Sequence, residues 1–304
     1  MNKYLLNLVF VLFIIAVISF KYKDVETNFN LEKKEKEITV KVLVNNEVKT
    51  LNLEDYIIGV VAGEMPASFE MEALKAQSVA SRTFALFKKS NSNGNYDLTD
   101  DTNSQVYITK DEMKEKWNED YNKYYEKIKK AVEDTKGIVM KNNGKIIKSY
   151  YFAMSNGNTQ DEEMVFNETD DYLKKVDSIY DNESLKNFKV ITSFTKEEFI
   201  NKLNLSCNQI IIKDIIKNKS NYISTINICD KTFKGTEIRK MLNLRSASFD
   251  INININNTVD ITTYGYGHGV GMSQYGANGY ASNGYNYKQI LHHYYKNIEL
   301  VSIK

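Results

Sequence analysis

Two stretches of helical periodicity meet at the one proline of this 304-residue chain. In LEDYIIGVVAGEMPASFEMEALKAQSVASRTFALF, residues 53–87, Leu53, Tyr56, Ile57, Val60 and Val61 recur at the spacing of an apolar helix face. Pro66 lacks an N–H and pushes the residue before it toward extended backbone, so the first helix must stop at about Met65. Ser68 predicts the cap of a second helix from Phe69 to about Lys89. Ala73, Ala76, Val79, Ala80, Thr83 and Phe87 share one face of it, and so many small residues imply close packing. Upstream, ITVKVLVNNEVKTLNL alternates around Asn45-Asn46 and predicts a hairpin beginning near Ile38. Asn52 predicts the cap of the first helix, with Asp55 as a capping-box variant. The expected fold class is α+β, with a helix–turn–helix pair packed against mixed β-sheet.

The apolar stripe of the first helix continues onto position 64, and position 64 is Glu. A carboxylate at a helix C-terminus is disfavoured by the helix dipole, by roughly 0.3–1 kcal/mol. Burial of an unpaired charge costs more. Both effects raise the pKa, and a carboxyl kept protonated near neutral pH can act as a general acid. The residues alone leave two readings: a functional carboxyl, or a Glu paired with a nearby Arg, most obviously Arg82.

The net charge of +1 gives no global pull toward nucleic acid or acidic lipid, and 42% hydrophobic with 26% charged residues is ordinary for a globular chain. No charged residue occurs between Tyr4 and Phe20. That run is close to the roughly 20 residues a spanning helix needs. Its end, Ile18-Ser19-Phe20, lacks the small-residue pattern of a cleavage site. Residues 1–23 are therefore expected to form an uncleaved membrane anchor, residues 24–37 a charged linker, and residues 38–304 the folded domain. Cys207 and Cys229 can form a disulfide outside the cell or remain two separate buried thiols. The histidines are His268, His292 and His293, and no Cys-x-x-Cys pair exists. A zinc site needs a tighter ligand cluster, so no metal and no cofactor is expected. DINININN, residues 250–257, alternates strictly and predicts a strand.

Two further segments carry chemistry. In TYGYGHGVGMSQYGANGYASNGYNYKQILHHYY, residues 263–295, closely spaced glycines surround His268. No Gly-Lys-Ser/Thr follows, which excludes a phosphate loop. Glycines at that density let backbone approach a ligand, and Tyr264, Tyr266 and Tyr275 offer flat faces for sugar rings. KSYYFAMSNGNTQDEEMVF, residues 148–166, runs from a tyrosine-rich strand into a polar turn from Ser155 to Thr159.

Taken together, VVAGEMPASFEMEALKAQSVASRTFA, SYYFAMSNGNTQ and GHGVGMSQYGANGYA resemble the stage II sporulation protein D family, which is related to the amidase-enhancer proteins. NSQVY (103–107), GTEIRKMLNLRSASF (235–249) and ILHHYY (290–295) fit the same pattern in the same order. The resemblance implies a peptidoglycan lytic transglycosylase in the mother-cell membrane of a sporulating bacterium. It implies action during engulfment, with a cell-wall amidase and a further membrane protein as partners, on glycan strands stripped of stem peptides. The family's catalytic acid falls on Glu64, its substrate-contacting Arg on Arg82, and its Tyr and Ser on Tyr151 and Ser155. His268 and Gln274 add an imidazole and an amide suited to sugar hydroxyls. The alternative is a non-catalytic glycan-binding activator of a cell-wall amidase.

Two departures matter. Some members hold a zinc through Cys and His, and GNYDLTDDTNSQVY has neither, so the metal is not carried over. Members often have Gly-Arg where this chain has Thr263-Tyr264, which removes a basic contact at that place. The expectation to test in three dimensions is one groove formed by Glu64, Arg82, the turn at Ser155 and the segment around His268.

Overall fold

The computed structural model describes residues 15, 17–19, 21, 37–255 and 257–303. Contacts divide the chain into residues 1–38 with 304, and residues 39–303. The expected anchor and linker lie almost wholly outside the described residues, among which no helix is long and apolar enough to cross a membrane.

In the larger unit the alternating segment at 39–52 forms the expected hairpin. Strands β1 (Thr39–Val44) and β2 (Glu47–Asn52) pair antiparallel, and Asn45 and Asn46 both take positive φ, as the two-residue turn demands. Helix α1 (Leu53–Glu64) follows at once. The Asn52 side chain accepts from the Glu54 amide, so the cap acts at the second helical residue, one short of the position expected for Asp55. Extended backbone at Met65 ends α1 before Pro66.

The start of helix α2 (Met71–Asn91) departs from expectation. Ser68 does not cap it. The Phe69 amide instead closes a turn onto the Pro66 carbonyl, and the Phe69 ring packs edge-on against Tyr275. The helix therefore begins two residues later, and Asn278, 208 residues away, accepts the Glu70 amide. The small face of α2 is fully buried at Ala73, Ala76, Val79, Ala80 and Thr83.

Strand β3 (Leu98–Thr99) lies parallel to β1 and completes the first sheet. Helices α3 (Lys110–Trp117) and α4 (Tyr121–Glu133) follow, then β4 (Ile138–Asn142), β5 (Lys145–Ile146) and β6 (Tyr151–Phe152), and the single turn α5 (Glu163–Phe166). A second core gathers β7 (Lys189–Thr195), α6 (Lys196–Lys202), β8 (Ile212–Lys217), β9 (Ile223–Ile228), β10 (Lys231–Lys234), α7 (Gly235–Met241), β11 (Phe249–Ile253) and β12 (Thr258–Tyr264) around Phe199, Ile226, Ile238 and Phe249. The strand expected over 250–257 ends at Ile253, because the chain reverses between Asn254 and Asn257 into β12. Cys207 and Cys229 form a disulfide in this region, which settles the two readings of the cysteines.

The chain then returns to the first core through β13 (Met272–Ser273), α8 (Gln274–Ser282), α9 (Tyr287–Tyr294) and β14 (Glu299–Ser302). Val270, Met272, Ile290, Leu291 and Tyr294 pack with Ala76, Val79 and Ala80 of α2. The fold is α+β. The expected mixed sheet exists as β2-β1-β3, but among the described residues the strands divide into five sheets of two or three strands, and helices supply much of the packing around α2.

Candidate active site

Glu64 is the last residue of α1 and its carboxyl is half-buried. Gly59 and Gly63, one turn apart, make a flat track on α1 over which residues 106–108 run. A Cβ on Gly59 would stand 2.2 Å from the Tyr107 ring, and one on Gly63 2.5 Å from the Val106 carbonyl. The Ile108 amide bonds the Gly59 carbonyl, which fixes the track. The Val106 amide then donates to Glu64 Oε1 at 2.7 Å. Burial raises the Glu64 pKa above the ordinary carboxylate range. The Val106 amide, the Gln274 and Tyr151 side chains and the Lys116 ammonium oppose it without cancelling it.

Tyr151 and Gln274 reach Glu64 through one pairing. Strand β6 lies parallel to β13, with Met272 opposite Tyr151 and Ser273 opposite Phe152, so Gln274 follows immediately beside the tyrosine. The Tyr151 hydroxyl accepts from Gln105 Nε2 at 2.8 Å, and Gln105 in turn accepts from Tyr56. Burial foremost, with the Glu64 charge second, keeps the Tyr151 phenol protonated well beyond its usual range.

His268 supports this arrangement from behind. Its Nδ1 accepts the Val270 amide at 3.1 Å, so Nε2 carries the proton and donates to the Tyr151 carbonyl at 3.1 Å. The rings of Tyr150, Phe152 and Phe166 surround it. Burial, then the nearby Arg239 guanidinium, lowers its pKa to about 4, so it is neutral at physiological pH. The glycines are needed for this approach: Gly271, at φ +78°, passes the Tyr150 carbonyl so closely that a Cβ would overlap it.

Two hollows meet at Glu64. One, of about 590 Å³, is lined by Lys116, Trp117, Lys186, Arg245 and Tyr275 among others. The second, of about 1070 Å³, includes Val106, Tyr150, Tyr151, Arg239 and His268. Glu64, Ala153, Tyr266 and Gln274 line both. In the first hollow Glu64 is the sole acidic side chain. The second adds Glu168, which the Lys148 ammonium holds.

Glu64, Tyr151, His268 and Gln274 therefore come together, and two expected members do not. The Arg82 side chain is fully buried and gives its guanidinium to Glu54, at 2.6–3.2 Å, and to the carbonyls of Ile138 and Val132. It neither pairs with Glu64 nor lines either hollow. Ser155 is buried as well, and both its amide and its hydroxyl donate to Asp181 Oδ2. Residue type alone did not point to Val106, Gln105, Lys116 or Arg245. The Gly59/Gly63 spacing was the one signal for the Val106 contact.

Among the described residues, Glu162, Glu168 and Asp170 bring carboxylate oxygens within 4.8 Å of one another, a spacing that could hold a cation. The Lys148 ammonium contacts all three and supplies the countercharge.

This is an α+β protein with one half-buried carboxyl at the junction of two polar, aromatic hollows. Residues 44–141 match the family described as Stage II sporulation protein. The chain is 39% identical over 265 residues to stage II sporulation protein D of Bacillus subtilis (strain 168), covering 84% of this chain and 76% of that protein. It is 39% identical over 263 residues to stage II sporulation protein D of Bacillus amyloliquefaciens, with the same coverage. It is also 38% identical over 115 residues to the amidase enhancer of B. subtilis, spanning 38% of this chain and 14% of that protein. The chain belongs to the stage II sporulation protein D family.

Proposed function

We propose that this protein is a membrane-anchored lytic transglycosylase that cleaves peptide-stripped peptidoglycan strands during endospore engulfment. The observation that carries the reading is the isolation of Glu64. Hydrolysing glycosidases normally use two carboxyls flanking the scissile bond. Here the carboxyl shared by both hollows has one acidic companion in their walls, Glu168, and that residue is committed to Lys148.

One carboxyl suffices when the sugar supplies its own nucleophile. Glu64, biased toward its protonated form by burial, gives its proton to the glycosidic oxygen as the bond to C1 breaks. The C6 hydroxyl of the same sugar attacks C1, and its proton returns to the Glu64 carboxylate. The products are a free 4-hydroxyl and a 1,6-anhydro muramoyl end, with no water consumed. The Val106 amide, Gln274 and Tyr151 stabilise the transient carboxylate. Tyr266, Tyr275 and Trp117 offer rings against which sugar faces can lie.

The disulfide suits an oxidising, extracytoplasmic location. The family membership supports a place in sporulation; a cell-wall amidase and a further membrane protein as partners in the mother-cell membrane are part of the proposal. The test is mass spectrometry of purified peptide-free strands incubated with the protein. Anhydro ends are expected, and Glu64→Gln should lower their formation by about 10²–10⁴-fold while glycan binding persists. Binding without any anhydro product from the wild type would favour the non-catalytic activator reading, which the partial likeness to an amidase enhancer also suggests.

A further inference from the structure

The first hollow holds a charge pattern that acid catalysis does not require. Lys116, Lys186 and Arg245 line it, and the one acid there, Glu64, is biased toward its neutral form. Arg245 is placed by its backbone, whose carbonyl accepts the Gly267 amide at 3.0 Å. Its guanidinium lies 4.3 Å from the centre of the Tyr266 ring, and Tyr266 borders both hollows. Its Nε is buried and makes no hydrogen bond. Stacking on Tyr266 holds the guanidinium plane beside the hollow, and a planar fork held that way suits a carboxylate.

Resting on the reading above, we propose that this hollow recognises the free lactyl carboxylate of the muramoyl sugar, with Arg245 as the specificity-determining residue. The chemistry of the substrate gives the reason. While a stem peptide is attached, the lactyl group is a neutral amide carrying a long substituent. Hydrolysis of that amide leaves a compact anion on every second sugar. A pocket with three cations distinguishes the two states by charge. It thereby favours strands on which the preceding reaction, hydrolysis of the lactyl amide bond, has already taken place.

The test compares strands of one length in three forms: free lactyl carboxylate, carboxyl converted to the primary amide, and N-acetylglucosamine oligomers without a lactyl group. Binding is measured in the Glu64→Gln protein so that no strand is consumed. The free-carboxylate strand is expected to bind about tenfold or more tightly than the amidated one, as a charge-assisted contact warrants. Adding Arg245→Gln should bring that ratio toward one, and Arg245→Lys should keep part of it. Equal affinity for free and amidated strands, or an unaltered ratio in Arg245→Gln, would overturn the proposal. If Arg245→Gln fails to fold by its melting curve, the comparison of free and amidated strands decides alone. Failure to bind any of the three forms would instead overturn the glycan-cleaving reading beneath it.

Discussion

Replacing Arg82 separates a structural residue from a substrate contact. The guanidinium is fully buried and ties the first turn of α1, through Glu54, to the carbonyls of Val132 at the end of α4 and Ile138 at the start of β4. Glu54 Oε1 also accepts the Gly137 amide, so one ion pair joins four elements. Arg82→Ala strands a carboxylate and two carbonyls. Breaking a buried pair costs about 3–5 kcal/mol, and the 22% exposure of the Glu54 side chain, which lets water reach it, favours the lower end. At about 2 °C per kcal/mol for a unit of this size, the melting temperature should fall by roughly 6–10 °C. Arg82→Lys should recover only part of this, because an ammonium cannot reproduce the fork to Glu54 while reaching both carbonyls. The assay pairs urea unfolding with glycan binding measured below the transition. An Arg82→Ala protein within about 0.5 kcal/mol of wild-type stability that has lost glycan binding would refute the structural assignment.

Three further outcomes are expected. Because burial raises the Glu64 pKa, the folded state favours the protonated carboxyl, and the stability it contributes is present below the unfolded value of about 4.3 and lost as pH rises through the folded value; Glu64→Gln should therefore melt above wild type at pH 7, with the gap closing in acid, and wild-type cleavage should decline as pH rises through the same value. Reduction of Cys207–Cys229, 22 residues apart, should destabilise the protein by about 3 kcal/mol on loop-closure grounds, and unchanged urea unfolding after reduction would count against that figure. Gly63→Ala places a methyl 2.5 Å from the Val106 carbonyl, so residues 104–108 must shift and the Val106 amide leaves Glu64; loss of that pKa-lowering contact should move the alkaline limb of the cleavage profile upward, and a profile that superimposes on wild type would show that the contact survives.

What the sequence disclosed, and what it withheld, follows from the reach of each cue. The hairpin turn at Asn45-Asn46, the cap at Asn52 and the stop before Pro66 rest on neighbours in the chain, and all three appear. The start of α2 misled because no side chain caps it, and the Glu70 amide just before it is instead held by Asn278, 208 residues away. Arg245 was invisible for a related reason. Its residue type fits any solvated loop, and only the fold sets it on Tyr266, in the region where Thr263-Tyr264 seemed to remove a basic contact. Arg82 differs, because its partner could have been found by arithmetic. A helix rises about 1.5 Å per residue. Arg82 lies eleven residues into α2, about 16 Å from the elbow, whereas Glu64 sits at the elbow itself. In a helical hairpin only a residue about equally far back along α1 can face Arg82; the acids at that height are Glu54 and Asp55, and Glu54 makes the pair. The same geometry that commits Arg82 to Glu54 leaves Glu64 without an arginine partner at the open end of the pair, where burial raises its pKa and the two hollows reach it.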